Sequence, residues 1–496
     1  INDAVDQYRF DRNPKPQGQN AEPLLSFPNG ALVHFAVSSS EVQMTTKLAG
    51  PKTFFLPFNQ GSNGPGRTGS AGNPINPNGH RTAYLWEQVW QRDSWLDILG
   101  RYLITEQDKK KKIRTIIFPR FHQLDVTRRL LSSVLSEGPG RKYLIQHSAG
   151  SGKTNSIAWS AHFLADLHDV NEQKVFDSVI VVSDRNVIDG QLSDAIEAME
   201  RTKGVVANIS GKSGSKSSEL ADALSGDKKV LVCTIQTFPF ALEAVRKLAS
   251  ADGKRFAVIA DEAHSSQTGE AAAKLKQVLT AEEQAELADG GEISTEDILA
   301  AQMSSKAKDS GITYVAFTAT PKAKTLETFG RLADPTKPAS DDNLPEPYHV
   351  YSMQQAIEEE FILDVLENYI SYKLAFKLAN DGREWDEQQV EHSEAMKGLM
   401  RWVRLHPYNI AQKVQIVVEH YSEMVAHLLD GKAKAMVVVG SRQEAVRWQI
   451  AIQKYIKEKG YSMASLVAFS GEVNDKESGP DPFKETTAEL NPYLKG

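Results

Sequence analysis

The sequence predicts an α/β protein whose central part is a doubly wound parallel sheet. Five segments each contain a short apolar run, mostly rich in Val and Ile: "RKYLIQHS", "DSVIVVSD", "KKVLVCTIQ", "RFAVIADE" and "ITYVAFTAT". Strands that are apolar throughout are typical of a sheet buried on both faces. Helical stretches separate these runs, which is the alternation expected of parallel strands joined by crossover helices.

Changes of pattern along the 496 residues indicate three domains, since a chain of this length exceeds one core. Residues 1–105 combine the strand-like segments "ALVHFAVSS", "EVQMTTKLA" and "KTFFLPF" with a helical segment. They also hold a long loop, "NQGSNGPGRTGSAGNPINPNGHRT", of a kind more often functional or mobile than inert. Residues 106–335 carry the α/β alternation. Residues 336–496 begin a second alternation, with only two strand-like runs, "KAMVVVGSR" and "SLVAFSGEV", and we expect that domain to be incomplete.

Composition narrows the class of protein but not its partner. A hydrophobic share of 41% with 24% charged residues is ordinary for a soluble globular chain, and no apolar run is long enough to predict a membrane span. The lone cysteine, Cys233, is predicted to be a small buried hydrophobe and fits a reducing cytoplasm. The net charge of -7 argues against a protein that binds nucleic acid over its whole surface, but it is compatible with a local basic groove.

The segment "LIQHSAGSGKTNSIAW" predicts a phosphate-binding loop between a strand and a helix. The helix N-terminus presents backbone N–H groups to an anion, and Gly150 and Gly152 permit the backbone angles of the turn. Lys153 would reach the terminal phosphates and Thr154 would ligate magnesium. The usual first glycine is replaced by His147, at a strand end where the turn can start without it. The predicted loop therefore comprises His147, Ser148, Ala149, Gly150, Ser151, Gly152, Lys153 and Thr154.

A second motif, Asp261-Glu262-Ala263-His264, follows the apolar run "RFAVIA" about a hundred residues later. An acid at a strand tip can hold Mg²⁺, so Asp261 is the candidate metal ligand beside Thr154. Glu262 can polarise the attacking water. A chance turn of the Gly-x-Gly-Lys-Thr type explains the first motif alone. It does not explain both motifs in a parallel-sheet pattern.

These motifs resemble those of superfamily-2 helicases and translocases. "DEAH" and "YVAFTATP" look like motifs II and III of that superfamily, and the resemblance implies that Thr318 and Thr320 couple the nucleotide state to the DNA-facing side. "FPRFHQLD" resembles the Q motif, in which Gln123 would read the adenine edge. "CTIQTF" resembles a DNA-contacting motif through Thr234 and Gln236, and "GSRQEAV" resembles motif IV through Arg442.

Over essentially the whole chain the sequence resembles the R (motor and endonuclease, HsdR-type) subunit of type I restriction-modification enzymes. Segments such as "FFLPFNQG", "LIQHSAGSGKTNSIAW", "DEAHSSQTG" and "VYSMQQAIEEEFILDVL" carry this resemblance. It implies a RecA-like motor domain at 106–335, a partial second RecA-like domain at 336–496, and the C-terminal part of an α/β nuclease-type domain at 1–105. It also implies ATP and Mg²⁺ as cofactors, double-stranded DNA as substrate, and methyltransferase and specificity subunits as partners.

The resemblance implies further parts that the motifs here do not supply. The acid-x-lysine signature of the nuclease is not found in residues 1–105, and Gln7 fits a Q-x-x-x-Y element whose tyrosine position holds Asp11. Motifs V and VI would follow "LVAFSGEV". We therefore expect a fragment of a longer protein that binds ATP but hydrolyses it slowly alone.

Two other readings of the sequence remain open. One is a superfamily-2 helicase or remodeller that shares the motor but lacks the nuclease. The other is a scaffold that binds ATP as a structural ligand, against which the intact Lys153, Thr154, Asp261 and Glu262 argue.

Overall fold

The structure of the protein, a computed structural model, falls into two compact units, residues Ile1–Tyr369 and Ile370–Gly496. It describes residues 1–108, 110–183, 191–200, 204–209, 216–226, 228–234, 241–242, 244–246, 248–249, 253–261, 311–340, 342–364, 404–488 and 490–492. Most of the "DEAH" motif lies outside these ranges.

The part of the first unit before residue 120 contains short helices and small antiparallel sheets. The three strand-like segments predicted here are strands, and they pair in the order β1-β2-β3. The elements, in chain order, are α1 (Asn2–Asp6), β1 (His34–Val37), β2 (Val42–Thr45), β3 (Leu56–Pro57), α2 (Arg92–Asp97), β4 (Ile104–Gln107) and β5 (Ile113–Ile117). A 3-10 turn (Pro23–Leu25) and π-helical turns at Gln7–Asp11, Leu85–Val89 and Ile98–Tyr102 join them.

The predicted parallel sheet is confirmed. Among the described residues, seven strands form one sheet in the order β14-β6-β11-β10-β7-β9-β8, and every neighbouring pair is parallel. Its strands are β6 (Lys142–His147), β7 (Ser178–Ser183), β8 (Val206–Ile209), β9 (Val230–Thr234), β10 (Phe256–Ala260), β11 (Ile312–Thr318) and β14 (His349–Tyr351). A separate pair, β12 (Arg331–Leu332) and β13 (Pro345–Glu346), precedes the last of these.

Helices cover both faces of this sheet, which explains why its strands are apolar throughout. They are α3 (Phe121–Glu137), α4 (Lys153–Ala165), α5 (Gln191–Ala198), α6 (Lys216–Ser225) and α7 (Ala323–Phe329). A further helix, α8 (Met353–Glu358), follows β14. In β6, Tyr143 and Ile145 pack into the core formed with α3, α4 and α5. Leu144 points into the opposite core with α6, where Cys233 is fully buried as predicted.

Helix α4 is buried on nearly all sides because a second layer covers its outer face. Trp159 is among the largest fully buried side chains, and its Nε1 donates a hydrogen bond to the Tyr102 carbonyl oxygen at 3.2 Å. Tyr102 and Phe58 belong to the same apolar cluster as Trp159. The segment before residue 120 is thereby packed directly onto the helix that begins at the phosphate loop.

The sheet contains two strands that the sequence did not predict. Strand β8 ("VANI") has three half-buried residues, and β14 ("HVY") has only three residues, so neither has a long apolar run. Strand β14 pairs with β6 and extends the sheet past residue 335, where the sequence placed a domain boundary. The three-domain division itself stays a prediction.

The predicted glycine-rich loop, residues 59–82, is held against β14 and α8. It folds back on itself through the Gly61 N–H, which donates to the Gly72 carbonyl oxygen at 2.8 Å. The Val350 N–H donates to the Gly66 carbonyl oxygen at 2.9 Å, and the Ser352 hydroxyl donates to the Gly69 carbonyl oxygen at 2.6 Å. This loop therefore forms the outer support of the edge strand.

The second unit is mainly helical in its described residues. Its elements are α9 (Pro407–His420), a π-helical turn (Tyr421–Val425), α10 (Leu428–Gly431), α11 (Arg442–Lys459), β15 (Glu472–Val473) and β16 (Phe483–Lys484). The runs "KAMVVVG" and "SLVAFS", predicted as strands, have no strand assignment, because neither has a ladder partner among the described residues. Instead, the Asn491 side chain pairs with both backbone polar groups of Val467 at 2.8 Å.

Candidate functional site

The predicted phosphate loop connects β6 to α4 at one edge of the sheet. His147 is the last residue of β6 and Lys153 the first of α4. Gly150 and Gly152 have φ of +71° and +77°, a region that favours glycine. A Cβ on Gly152 would lie 2.6 Å from the Gln123 Nε2 atom, so this position also lacks space for a side chain.

The loop is closed around its own lysine. Lys153 Nζ donates to the His147 carbonyl oxygen at 3.2 Å and to the Ser148 carbonyl oxygen at 3.5 Å. Ser148 and Ser151 are buried, whereas Ala149 and Gly150 are exposed at the tip. A phosphate group would compete with these two neutral carbonyls for the ammonium, and an anion is the stronger acceptor.

Gln123 contacts the loop from the first turn of α3. Its Nε2 donates to the Gly152 carbonyl oxygen at 3.0 Å, and its Oε1 accepts a hydrogen bond from the Arg120 N–H at 2.9 Å. This second contact is half of a capping box that fixes the start of the helix. The side chain is thus positioned by the chain itself, while its contact with adenine stays a prediction.

The other predicted motor residues lie at the same edge of the sheet, where parallel strands end. Asp261 follows β10, and its N–H donates to the Val182 carbonyl oxygen at 2.9 Å. Thr318 ends β11 level with Gln146, and Thr234 ends β9 level with Ser183. Since only β11 separates β6 from β10, the phosphate loop and Asp261 lie roughly 10 Å apart, two strand spacings.

The structure describes some of the remaining predicted residues but not all of them. Thr320 is exposed just beyond β11, whereas Thr318 and Thr234 are buried. Arg442 begins α11 in the second unit, where its Nη1 donates to the Ser470 carbonyl oxygen at 3.0 Å. Glu262 and Gln236 lie outside the described residues.

Three buried histidines surround the start of the loop, and of these the sequence singled out only His147. His147 Nε2 lies 2.9 Å from His349 Nδ1, and His122 Nε2 lies 2.9 Å from the Ser151 carbonyl oxygen. Burial holds the pKa of His147 and of His122 well below the ordinary histidine value, and it also lowers the pKa of His349. All three are therefore neutral at pH 7. No local pattern in the sequence pointed to His122 or His349.

A buried arginine lies next to these histidines. Arg120 donates to the Tyr351 hydroxyl at 2.6 Å and to Gly150 at the loop tip, through that residue's carbonyl oxygen at 3.4 Å. It also pairs with Glu359 at 3.4 Å, and its guanidinium lies 3.4 Å from the centroid of the Phe361 ring. Burial raises the pKa of Glu359 and lowers that of Arg120. The loop thus rests on an extensive polar network contributed by α3, β14 and α8.

The described residues contain no group of three or more His, Cys, Asp and Glu side chains arranged to hold a metal ion. Within the same ranges, no helix has both the length and the apolar character needed to cross a membrane.

Comparison with known families identifies the motor region. The sequence model of the SWI2/SNF2 ATPase family matches residues 122–398, which is more than half of the chain. The chain belongs to the SWI2/SNF2 ATPase family. The match begins in α3 and includes the phosphate loop, Asp261 and Thr318. Membership of this ATPase family implies that the chain uses a nucleotide, and the ammonium, glycines and carboxylate at the sheet edge are the groups that such use needs.

Individual proteins resemble this SWI2/SNF2 family member as well. A protein of Methanocaldococcus jannaschii, assigned as the MjaVIIIP endonuclease subunit of a type I restriction enzyme, is 23% identical over 407 residues. The match covers 75% of this chain and 35% of that protein, so the chain spans about a third of the relative's length. This relative confirms the resemblance to the endonuclease subunit of type I restriction enzymes.

Two solved structures are also similar to the chain. A fragment assigned to an HsdR subunit of a type I restriction enzyme from Vibrio vulnificus has 12% sequence identity and a TM-score of 0.35, covering 85% of this chain and 56% of that one. The Hef helicase domain of Pyrococcus furiosus has 13% identity and a TM-score of 0.26, covering 69% and 54% respectively.

Proposed function

We propose that this chain is the motor region of the R subunit of a type I restriction-modification enzyme. It hydrolyses ATP to translocate double-stranded DNA, and the complete subunit cleaves that DNA away from the recognition site. The observation that carries the proposal is the phosphate loop, Asp261 and Thr318 at one edge of a seven-stranded parallel sheet. Membership of the ATPase family and similarity to a restriction endonuclease subunit support it.

The residues of the site divide the chemistry of hydrolysis between them. Lys153 exchanges its two carbonyl contacts for the terminal phosphates of ATP, held by the N–H groups of the loop. Thr154 and Asp261 hold Mg²⁺, which neutralises phosphate charge when bound. Glu262 orients and polarises the attacking water. Gln123 contacts the adenine from the start of α3.

Other residues of the motor transmit the nucleotide state to DNA. Thr318 ends β11, the strand that lies between β6, which leads into the phosphate loop, and β10, which leads into Asp261. A movement of the loop or of Asp261 is therefore transmitted to Thr318 through a neighbouring strand. Thr320, just beyond β11, takes part in the same coupling. Thr234, at the end of β9, and Gln236 contact the DNA backbone. Arg442 of the second unit is a further residue that contacts DNA. Methyltransferase and specificity subunits complete the enzyme, and the specificity subunit selects the sequence.

The proposal is tested by measuring ATP hydrolysis by the full-length subunit, assembled with its methyltransferase and specificity subunits, with and without unmodified plasmid DNA. We expect DNA to stimulate hydrolysis at least tenfold, and Glu262→Gln to bind a fluorescent ADP analogue like the wild type while losing turnover. Hydrolysis that is indifferent to DNA would contradict the proposal. DNA-stimulated hydrolysis without cleavage of the plasmid would favour a superfamily-2 remodeller that lacks the nuclease.

A further inference from the structure

A chain of three buried polar side chains ends at the first residue of the phosphate loop. Asp125 Oδ2 lies 3.1 Å from His349 Nε2, and His349 Nδ1 lies 2.9 Å from His147 Nε2. His147 and His349 are fully buried, and Asp125 is largely so. We call these three residues the histidine chain. It runs from α3 through β14 to β6.

The positions of the protons in the histidine chain follow from Asp125. Arg129 Nε lies 2.8 Å from the same Asp125 oxygen, and the carboxylate of this ion pair only accepts hydrogen bonds. His349 Nε2 must therefore carry a proton, and the neutral ring then has an acceptor at Nδ1. His147 Nε2 donates to that acceptor, which leaves His147 Nδ1 unprotonated. This Nδ1 atom is buried without a partner, which is less unfavourable for an acceptor than for an N–H donor.

We propose that Asp125 and His349 are positioning residues of the phosphate loop, which fix His147 as the neutral tautomer protonated at Nε2 and so replace the missing first glycine by a hydrogen-bonded anchor. This inference rests on the proposed ATP site. In the usual loop the first glycine makes room for the turn. Here the imidazole fills that room, and the histidine chain determines where the ring and its backbone lie.

Strand β14 holds the backbone of the loop as well as its first side chain. The Ser148 N–H donates to the Tyr351 carbonyl oxygen at 3.0 Å, two residues beyond His349. Gly66 closes the other side of His349, where an added Cβ would lie 2.7 Å from the His349 Cδ2 atom. Because Gly66 also accepts a hydrogen bond from Val350, the His349 ring has little space for another orientation.

Charged groups around the histidine chain reinforce the neutral form. Burial is the largest cause that lowers the pKa of His147. The neighbouring rings of His349 and His122, then Lys153 of α4 and Arg120, which precedes α3, act in the same direction. Asp125 opposes this effect at His349, where burial nevertheless lowers the pKa. At the far end of the histidine chain Asp125 is paired with Arg129. At the loop end Lys153 and Arg120 are both cations.

The decisive variants are Asp125→Leu, which removes the acceptor, and Asp125→Asn, which retains a carbonyl oxygen and is expected to rescue. Glu137→Leu is the matched control, since Glu137 is on the same helix and bonds an arginine, Arg331, but does not contact the loop. We expect Asp125→Leu to raise the dissociation constant of a fluorescent ADP analogue about tenfold. For Asp125→Asn and Glu137→Leu the dissociation constant should stay within about twofold of the wild-type value. Such a change corresponds to less free energy than one hydrogen bond contributes.

The tautomer of His147 distinguishes this positioning role from a general effect on stability. It is measured by ¹H–¹⁵N spectra of the histidine-labelled chain. The resonance is assigned by its loss in His147→Gln. We expect protonation at Nε2 alone in the wild type at pH 7.5, and protonation at Nδ1 to appear in Asp125→Leu. A wild-type His147 protonated at Nδ1 would overturn the proposal, and so would unchanged ADP binding by folded Asp125→Leu.

These outcomes separate the inference from the proposed function. If the wild type binds no nucleotide, the proposed ATP site fails, while the tautomer still decides the role of the histidine chain. If Asp125→Leu does not fold, Gly66→Ala provides the second variant, since its Cβ would displace His349 from the outside. We expect Gly66→Ala to weaken ADP binding and mix the His147 tautomers. A single Nε2 tautomer with unchanged binding in that variant would contradict the proposal.

Discussion

Lys153→Ala is expected to abolish ATP hydrolysis, with a loss of at least about 1,000-fold. Lys153 is the cation at the N-terminus of α4, and its ammonium already lies over the carbonyl oxygens of the phosphate loop. Removing it takes away the charge that stabilises the transferring phosphate. The fold should survive, because the position is only partly buried and the hydrogen bonds from Lys153 Nζ to the loop carbonyls are long.

The measurement is steady-state ATP turnover by the assembled full-length enzyme with DNA in excess, for the wild type, Lys153→Ala and Lys337→Ala. Lys337 is an exposed lysine that pairs only with nearby Asp334 in the described residues, so its removal should leave turnover unchanged. Circular dichroism checks that the variants are folded. Retained DNA-stimulated hydrolysis in Lys153→Ala would disprove the assignment of the loop.

The unfolding free energy of the sheet is expected to fall steeply as the pH drops below about 6.5. The pKa values of the buried His122, His147 and His349 are lowered by burial, so below that pH the unfolded chain binds protons that the folded chain does not. Stability is therefore present above the unfolded pKa and lost as the pH falls. Glu359, whose pKa is raised by burial, opposes this with at most one proton.

Three histidines, opposed by at most one proton from Glu359, leave two to three net protons. At 1.36 kcal/mol per proton this predicts a slope of roughly 2.5 to 4 kcal/mol per pH unit near pH 5.5. The measurement is hydrogen–deuterium exchange of peptides covering β6 and α4 between pH 5 and 8, corrected for intrinsic exchange rates. His349→Gln should reduce the slope by about one proton, whereas substitution of the exposed His168 should not change it. A flat opening free energy from pH 7 to 5 would show that the histidines are not buried as neutral rings.

The architecture of the motor was predictable because its signals are local. Each of the five predicted strands of the sheet has a continuous apolar run, and the two glycines of the loop indicate a turn between strand and helix. Strand β14 was missed because three residues with a histidine among them give no periodicity, and its pairing with β6 joins residues about 200 apart. Partners so distant in sequence leave no local pattern.

The polar network behind the loop could not be predicted from the sequence, because its partners are also distant in sequence. The hydrogen bond between His147 and His349, and that between Arg120 and Tyr351, depend on the three-dimensional placement of β14. In the second unit, "KAMVVVG" is apolar enough for a buried strand, but an apolar run predicts only a propensity to pair. Among the described residues nothing pairs with it, and Met436 and Val438 are exposed.

The most direct test of ATP-driven movement along DNA is displacement of a triplex-forming oligonucleotide from linear DNA by the assembled full-length enzyme. With the triplex placed at increasing distances from the recognition site, the lag before displacement should lengthen in proportion to distance. Lys153→Ala should give no displacement. Displacement whose lag does not depend on distance, or its absence while the wild type hydrolyses ATP on the same DNA, would contradict translocation.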